Sequence, residues 1–312
     1  MLIMRERGIS FIICTYNGSA RLPLAIAGVS TQVPGEGESN QLIVVDNAST
    51  DESALVAIGI WSELGAPFRI DIVREAKPGL MNARVAGVGA AARDLIVFVD
   101  DDNILQGQWC GILRNVFNSR PNVGAIGGMG IAGFDHAPPR WFHAFQGFYA
   151  CGAQSDVDGV ISRSGNALYG AGLAMRTEIV VRLMEFASSF ILSGRNGSVQ
   201  MAGDDTEICR RLQIMGHELY YTSQLKFIHN MPSSRLTEKR LIEMLEGGGR
   251  AFFALSMLHN EVCGHSIGVR FKRIIWLTKK LLRAALGYGI EARMWRAFFS
   301  GMRKSPSSRM LP

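Results

Sequence analysis

No uninterrupted apolar stretch in the 312-residue chain reaches the roughly 20 residues that a membrane-spanning helix needs. Cysteine is sparse as well. Cys14, Cys110, Cys151, Cys209 and Cys263 are odd in number, widely spaced and without a C-x-x-C pair. Neither a disulfide framework nor a zinc cluster is indicated, and a reducing compartment is the natural inference. Met1 to Gly8 carries Arg5, Glu6 and Arg7 and runs straight into a β-favouring segment, without the charged-then-apolar layout of a secretory signal. The expected location is therefore cytoplasmic. No internal repeat or low-complexity tract is evident. What the chain does have is 47% apolar residues and a mean hydropathy of +0.12, enough to bury a sizeable core in one large domain or two closely packed ones.

Charge is unevenly placed. Residues 268 to 312 hold eleven Lys or Arg and one acid, Glu291, a net charge of +10, while the first 267 residues carry −4. The basicity belongs to the tail, and a nucleic-acid partner is not expected of a slightly acidic body.

The most informative stretch is Asp94 to Asn103, an apolar, β-favouring run that ends abruptly in Asp100, Asp101 and Asp102. Such a run between helical segments predicts a strand buried on both faces of a parallel sheet, and open α/β sheets bind their ligands at the carboxyl ends of strands. Three adjacent carboxylates repel one another, and oxygen ligands of this kind suit Mg²⁺ or Mn²⁺. The residues predict a metal site; a solvated acidic turn is the plain alternative.

The surrounding chain alternates strand and helix. Ile9 to Cys14 predicts a first strand, followed by the polar turn Thr15-Tyr16-Asn17-Gly18-Ser19 and a helix over Ala20 to Gln32. Leu42 to Val45 predicts a second strand, ending in Asp46-Asn47-Ala48-Ser49-Thr50-Asp51. A helix over Glu52 to Leu64, a strand over Phe68 to Val73, and a helix from Lys77-Pro78-Gly79 through Ala92 lead back to the acidic strand. This is the pattern of a doubly wound α/β sheet. Polar groups at strand ends also cap helices, so each alone is ordinary loop chemistry. Three successive strand ends carry them, however, and no G-x-G-x-x-G phosphate loop is expected in the chain.

Taken in order, Thr15-Tyr16-Asn17, Val45 to Asp51, Gly79-Leu80-Met81-Asn82-Ala83-Arg84 and Phe98-Val99-Asp100-Asp101-Asp102 resemble family 2 glycosyltransferases of the GT-A fold. The resemblance implies a Rossmann-like sandwich with a mixed, mostly parallel sheet. It also implies donor-binding roles for Thr15, Tyr16, Asn17, Asp46, Asn47, Asn82, Arg84, Asp100 and Asp101, with a nucleotide-sugar, most commonly a UDP-sugar, as donor. Metal ligation, by Mn²⁺ or Mg²⁺, would fall to Asp102 and Asp100.

In the second half, Val123 to Met129 predicts a strand, and Gly165 to Met175 resembles the family's strand near the donor sugar. Asp135 to Ser164 is irregular and aromatic, with Trp141, Phe142, Phe145, Phe148 and Tyr149. These rings either stack on an acceptor sugar or pack as a satellite core. Gly203 to Leu212 opens a helix on carboxylates, which suits capping. By resemblance Asp205 inherits the general-base role, with Asp204 standing where the family usually has Glu. His229 ends a later strand, and by the same resemblance it completes the metal shell.

Leu236 to Leu258 predicts two helical pieces jointed at Gly247-Gly248-Gly249. From Phe271 to Leu286, one helical face holds Phe271, Ile274, Ile275, Leu281, Leu282, Ala285 and Leu286, and the other holds Lys272, Arg273, Lys279, Lys280 and Arg283 around Trp276. Such a helix fits an anionic membrane surface or packs on the body by its apolar face. Trp295, Phe298 and Phe299, with Arg303 and Lys304, repeat the theme, making residues 268 to 304 the candidate membrane contact. The tail from Ser305 is expected to be disordered.

The expected organisation is a catalytic domain over 1–232, its nucleotide half 1–105 and its acceptor half 106–232, followed by a helical basic region over 233–312. The expected function is a metal-dependent inverting glycosyltransferase acting on a glycan or lipid-linked acceptor at the inner face of the cell membrane. Two rivals are a catalytically silent sugar-nucleotide binding protein and a membrane-surface module with a structural α/β body.

Overall fold

The β-branched and apolar runs of the first hundred residues become four parallel strands. β1 (Glu6–Thr15), β2 (Gln41–Asn47), β3 (Arg69–Glu75) and β4 (Arg93–Asp100) are linked by α1 (Leu22–Ser30), α2 (Ser53–Glu63) and α3 (Leu80–Ala90). They lie in the order β3-β2-β1-β4. The computed structural model describes residues 5–163, 165, 167–186, 190–192, 195–196, 199–200, 202–264 and 267–305, with side chains for all of these except 195–200 and 267–273.

β4 is buried on both faces, which explains its continuous apolar character. Leu95, Val97 and Val99 join one core cluster with residues of α1 and α2, while Ile96 and Phe98 join a second on the α3 side.

The chain continues through β5 (Asn103–Gln106), α4 (Trp109–Ser119), β6 (Val123–Phe134), α5 (Phe142–Phe145), β7 (Gly159–Val160), β8 (Ala174–Arg176) and α6 (Thr177–Glu185). A small hairpin, β9 (Arg195–Asn196) with β10 (Val199–Gln200), precedes α7 (Asp204–Ile214) and the long β11 (Glu218–Met231). Three helices close the chain: α8 (Glu238–Cys263), α9 (Ile267–Leu286) and α10 (Gly289–Arg303). The sheet extends past β4 in the order β8-β6-β11-β5. β8 runs antiparallel to β4 and β6, and β5 and β7 run antiparallel to β11, so the sheet is mixed but mostly parallel, as expected. Gly128-Met129-Gly130-Ile131-Ala132-Gly133 spells G-x-G-x-x-G, yet it lies inside β6 and forms no phosphate loop.

Several expectations are corrected. The strand read over Gly165 to Met175 is confined to Ala174–Arg176 at its end. Of the two readings of the aromatic segment, the satellite core holds: Phe142, Phe145 and Tyr149 are buried with Leu241, Leu245, Met294, Trp295 and Phe298 in a third cluster that joins the C-terminal helices to the body. Phe148 remains exposed and Trp141 half-buried. Trp295 and Phe298 are therefore packing groups, not an exposed surface.

α9 also differs. It lies on α10 along one line: the Trp276 ring sits edge-on to Trp295, Lys280 Nζ lies 4.1 Å from the Trp295 ring centre, and Ala284 is buried. Ile274, Leu281, Leu282 and Leu286 are 52–74% exposed, so the apolar face points away from the body. The side chains of Phe271, Lys272 and Arg273 and the tail beyond Ser305 lie outside the described residues.

The expected joint at Gly247 to Gly249 is absent, and α8 runs through it. The glycines serve the approach of α10: a Cβ on Gly249 would come within 2.0 Å of the Phe298 carbonyl oxygen, and one on Gly301 within 2.1 Å of the Glu246 carbonyl oxygen. Backbone meets backbone there. Gly249→Ala should gain about 1 kcal/mol of helix propensity yet destabilise the protein by roughly 1–3 kcal/mol net, because the two helices must separate. Urea unfolding of the variant checks this, and equal or greater stability would contradict the close crossing.

Candidate active site

Sheet register assembles the site. Cys14 pairs with Asp100 and Thr15 with Asp46, which aligns the carboxyl ends of β1, β2 and β4 in one row. The loops leaving β1 and β2 are zipped together. Asn17, at φ 48°, accepts from the Thr50 amide through Oδ1 (2.8 Å) and donates its own amide to Ser49 Oγ (3.0 Å). The Gly18 amide donates to Ser53 Oγ, and the Ser19 amide to Asp51. Burial opposes ionisation of Asp51, but hydrogen bonds from Ser53 and Ser19 overcome it and bring its carboxyl down to about 2. Asp46 accepts the Ser49 amide and lines a cleft of about 330 Å³ with Ser49, Leu55, Arg74 and Glu75. Tyr16 is exposed. A larger cavity of about 460 Å³, beside Arg176, Arg182 and His217, contains none of the candidate residues.

Two of the expected donor-binding residues make ties within the protein. Asn47 is buried and spends its whole amide on the neighbouring loop: Nδ2 donates to the Glu75 and Lys77 carbonyls, and Oδ1 accepts from the Gly79 amide. Asn82 donates to the Pro78 carbonyl at the start of α3.

The acidic triplet divides three ways. Asp101 receives Thr15 Oγ1 (2.7 Å) and both Arg21 Nε (3.0 Å) and Arg21 Nη2 (2.7 Å), a bidentate pair. Arg21 also donates to the Tyr16 and Asn17 carbonyls, which fixes the β1–α1 loop. Asp100 lies within electrostatic reach of Arg84. Asp102 meets His229 Nε2 at 3.2 Å and Arg235 Nη1. Burial would raise the Asp102 carboxyl, yet His229 and Arg235 hold it well below the usual carboxylate range.

The meeting of Asp102 and His229 follows from the β5–β11 ladder, which pairs Asn103 with His229, while the Asn230 amide donates to the Asp102 carbonyl. The expected three-ligand set is not gathered. Among the described residues, no group of three His, Cys, Asp or Glu side chains could hold a metal. The Asp102–His229 pair does fit a dication in its chemistry: His229 Nδ1 is 2.7 Å from the Tyr149 carbonyl, a backbone support of the kind metal-binding imidazoles receive.

The first turn of α7 supplies the other charged centre. Arg84, buried from α3 with its guanidinium over the Phe98 ring, pairs with Asp204 at 2.5 Å. Asp205 accepts the Gly170 amide at 3.0 Å and the Thr206 amide at 2.7 Å. A Cβ on Gly170 would lie 2.6 Å from Arg84 Nη2, so only glycine admits this close approach. Burial and the neighbouring Asp204 push the Asp205 carboxyl up to about 6, against the pull of Arg84. Glu207, fully buried, accepts the Ile191 and Leu192 amides and Arg211, and so anchors the chain before α7. Arg21, Gly170, Glu207 and Arg235 carried no sequence signal, because their roles are made by partners distant in the chain.

The sequence pattern of glycosyl transferase family 2 matches residues 10–166. The chain is 29% identical over 179 residues to an uncharacterised glycosyltransferase of Nostoc sp., covering 56% of this chain and 52% of that protein. It is 19% identical over 154 residues to the glucosyl-dolichyl phosphate glucuronosyltransferase of Haloferax volcanii, covering 49% and 48%. It thus spans about half the length of these curated relatives. Among solved structures, the mannosyltransferase PcManGT of Pyrobaculum calidifontis, in complex with GDP-Man and Mn²⁺, superposes with a TM-score of 0.56 at 16% identity, over 96% of this chain and 87% of that one. S. aureus TarS 1–349 gives 0.54 at 12% identity, over 97% and 91%. The fold is GT-A.

Arg84 stands against Asp204, Asp205 and Asp100. Arg84→Met should cost roughly 3–5 kcal/mol at pH 7 by leaving buried carboxylates unpaired. Carboxyls raised in the folded state shed that penalty as they take up protons, so part of the loss should return as pH falls from 7 towards 5. Urea unfolding across that range is the check; a pH-independent loss would show that Arg84 acts by packing alone.

Proposed function

The chain belongs to glycosyl transferase family 2, and from that premise we propose that it moves one sugar from a UDP-sugar to an acceptor hydroxyl with inversion. It is a glycosyltransferase; the donor, the metal and the acceptor are the proposal. The observation that carries it is Asp205, a carboxylate fixed by two backbone amides and raised to about 6, close to the pH at which a general base works best.

In this reading the acceptor oxygen attacks the anomeric carbon as Asp205 takes its proton. The bond from that carbon to the diphosphate oxygen breaks, and the diphosphate leaves with the electron pair. Arg84 holds Asp204 and so keeps the first turn of α7 in place. The nucleoside would occupy the cleft lined by Asp46, with Tyr16 free to cover it. Asp102 and His229 would hold Mn²⁺ or Mg²⁺, which supplies Lewis-acid stabilisation of the departing diphosphate. The similarity to a mannosyltransferase solved with GDP-Man and Mn²⁺ supports this assignment.

A lipid-linked acceptor fits both the name of the Haloferax relative and α9, whose Ile274, Leu281, Leu282 and Leu286 face outwards near Lys279 and Arg283. Among the described residues no helix is long and apolar enough to cross a membrane; α9 would lie along an anionic membrane surface by its apolar face.

Asp205→Asn should lower transfer about 10²–10⁴-fold while UDP binding by calorimetry stays within a few-fold, and wild-type transfer should rise with pH through about 6. Undiminished transfer in that variant removes the base assignment. Paired Ile274→Glu and Leu282→Glu changes should abolish flotation with anionic vesicles; unchanged flotation contradicts a membrane role for α9.

A further inference from the structure

Asp102 and His229 are not empty-handed in this structure. His229 Nδ1 faces the Tyr149 carbonyl oxygen at 2.7 Å, and a carbonyl only accepts, so the proton sits on Nδ1. Nε2 lies 3.2 Å from Asp102 Oδ1, a carboxylate oxygen that only accepts, and 3.4 Å from Arg235 Nη1. The same guanidinium nitrogen contacts Asp102 Oδ2. One positive group thus lies against a carboxylate oxygen and an imidazole nitrogen, the two donor atoms assigned above to the dication. The Asp102 and His229 side chains are only 11% and 6% exposed, so removing that cation without replacement takes from a buried carboxylate one of its two charge partners. Arg235 itself is the more accessible group, at 20%, and it belongs to the short turn Ser233–Arg235 between β11 and α8, not to either element. That turn is held by its other end, where the Ser233 amide donates to Asp135.

We propose that Arg235 is the resident cation of this pair and that a divalent ion binds by exchange, expelling its guanidinium. This rests on the metal reading given above. The released guanidinium becomes available to the donor's diphosphate, an anion it can bind by charge-assisted hydrogen bonds. Two linked effects follow. A dication alone binds weakly, because it must displace a cation already satisfied. A dication together with a diphosphate binds more tightly, because the anion receives the group that was displaced, and the coupling is reciprocal.

The test is Mn²⁺ binding to the full chain without nucleotide, followed by electron paramagnetic resonance of free Mn²⁺. Wild type, Arg235→Gln and Arg235→Lys are compared, with Asp102→Asn as the blank. Arg235→Gln should bind Mn²⁺ about tenfold or more tightly than wild type, since no cation opposes entry, while Arg235→Lys should stay near wild type. Added UDP should tighten Mn²⁺ binding markedly in wild type and little in Arg235→Gln. Should Arg235→Gln fold poorly without metal, its melting temperature should rise more on adding Mn²⁺ than that of wild type. Equal or weaker Mn²⁺ binding in Arg235→Gln, an equal thermal shift, or no Mn²⁺ binding by wild type or either Arg235 variant would overturn the exchange. Failure of the transferase reading looks different: the Arg235-dependent metal binding would stand, with no sugar transferred.

Discussion

Three consecutive carboxylates at the end of one buried strand set the problem that the surrounding structure solves. Repulsion among Asp100, Asp101 and Asp102 is relieved by sending Asp101 and Asp102 to different guanidinium groups, Arg21 from the start of α1 and Arg235 from the turn after β11, while Asp100 lies within electrostatic reach of Arg84 from α3. Each arginine organises its own neighbourhood. Arg21 fixes the β1–α1 loop through two carbonyls, Arg84 fixes the first turn of α7 through Asp204, and Arg235 closes the gap between the end of β4 and the end of β11. The acidic triplet is thus a hub for segments separated by up to 133 residues in the chain.

This arrangement sorts structural from chemical roles. Asp101, with Thr15 and Arg21 on both of its oxygens, holds the scaffold. Asn47 does the same for the loop before α3. Asp205 is different: its two amide partners orient it but do not cancel the effect of burial and of Asp204, so it stays poised near neutrality. Side chains with saturated hydrogen bonding position the site, and those with an unrelieved electrostatic cost are the ones available for reaction.

Much of this was legible in the sequence. Apolar runs ending in polar clusters located β1, β2 and β4, because a strand covered by helices on both faces needs no polar alternation. Residues 203–212 read as the start of a helix, and α7 begins there. What was not legible depended on distant partners. The pattern Gly247-Gly248-Gly249 marks a break when only local flexibility is considered, yet here it marks contact with α10. The apolar stripe of α9 was visible, but which side met the body was decided by Trp276, Lys280 and Ala284 against α10. The three acids pointed to an added cation, but that Asp101 and Asp102 also meet Arg21 and Arg235 was not legible, because both arginines come from distant segments.

β5 is only four residues long, and its ladder with β11 runs from Gln106 opposite Lys226 to Asn103 opposite His229. Successive side chains of a strand alternate between faces, so a slip of one position would carry the imidazole to the wrong side of the sheet. The segment joining Asp102 to Gln106 consequently has a fixed length. An added or deleted residue there would break the ladder that brings His229 to Asp102, so changes of chain length are tolerated only outside this segment.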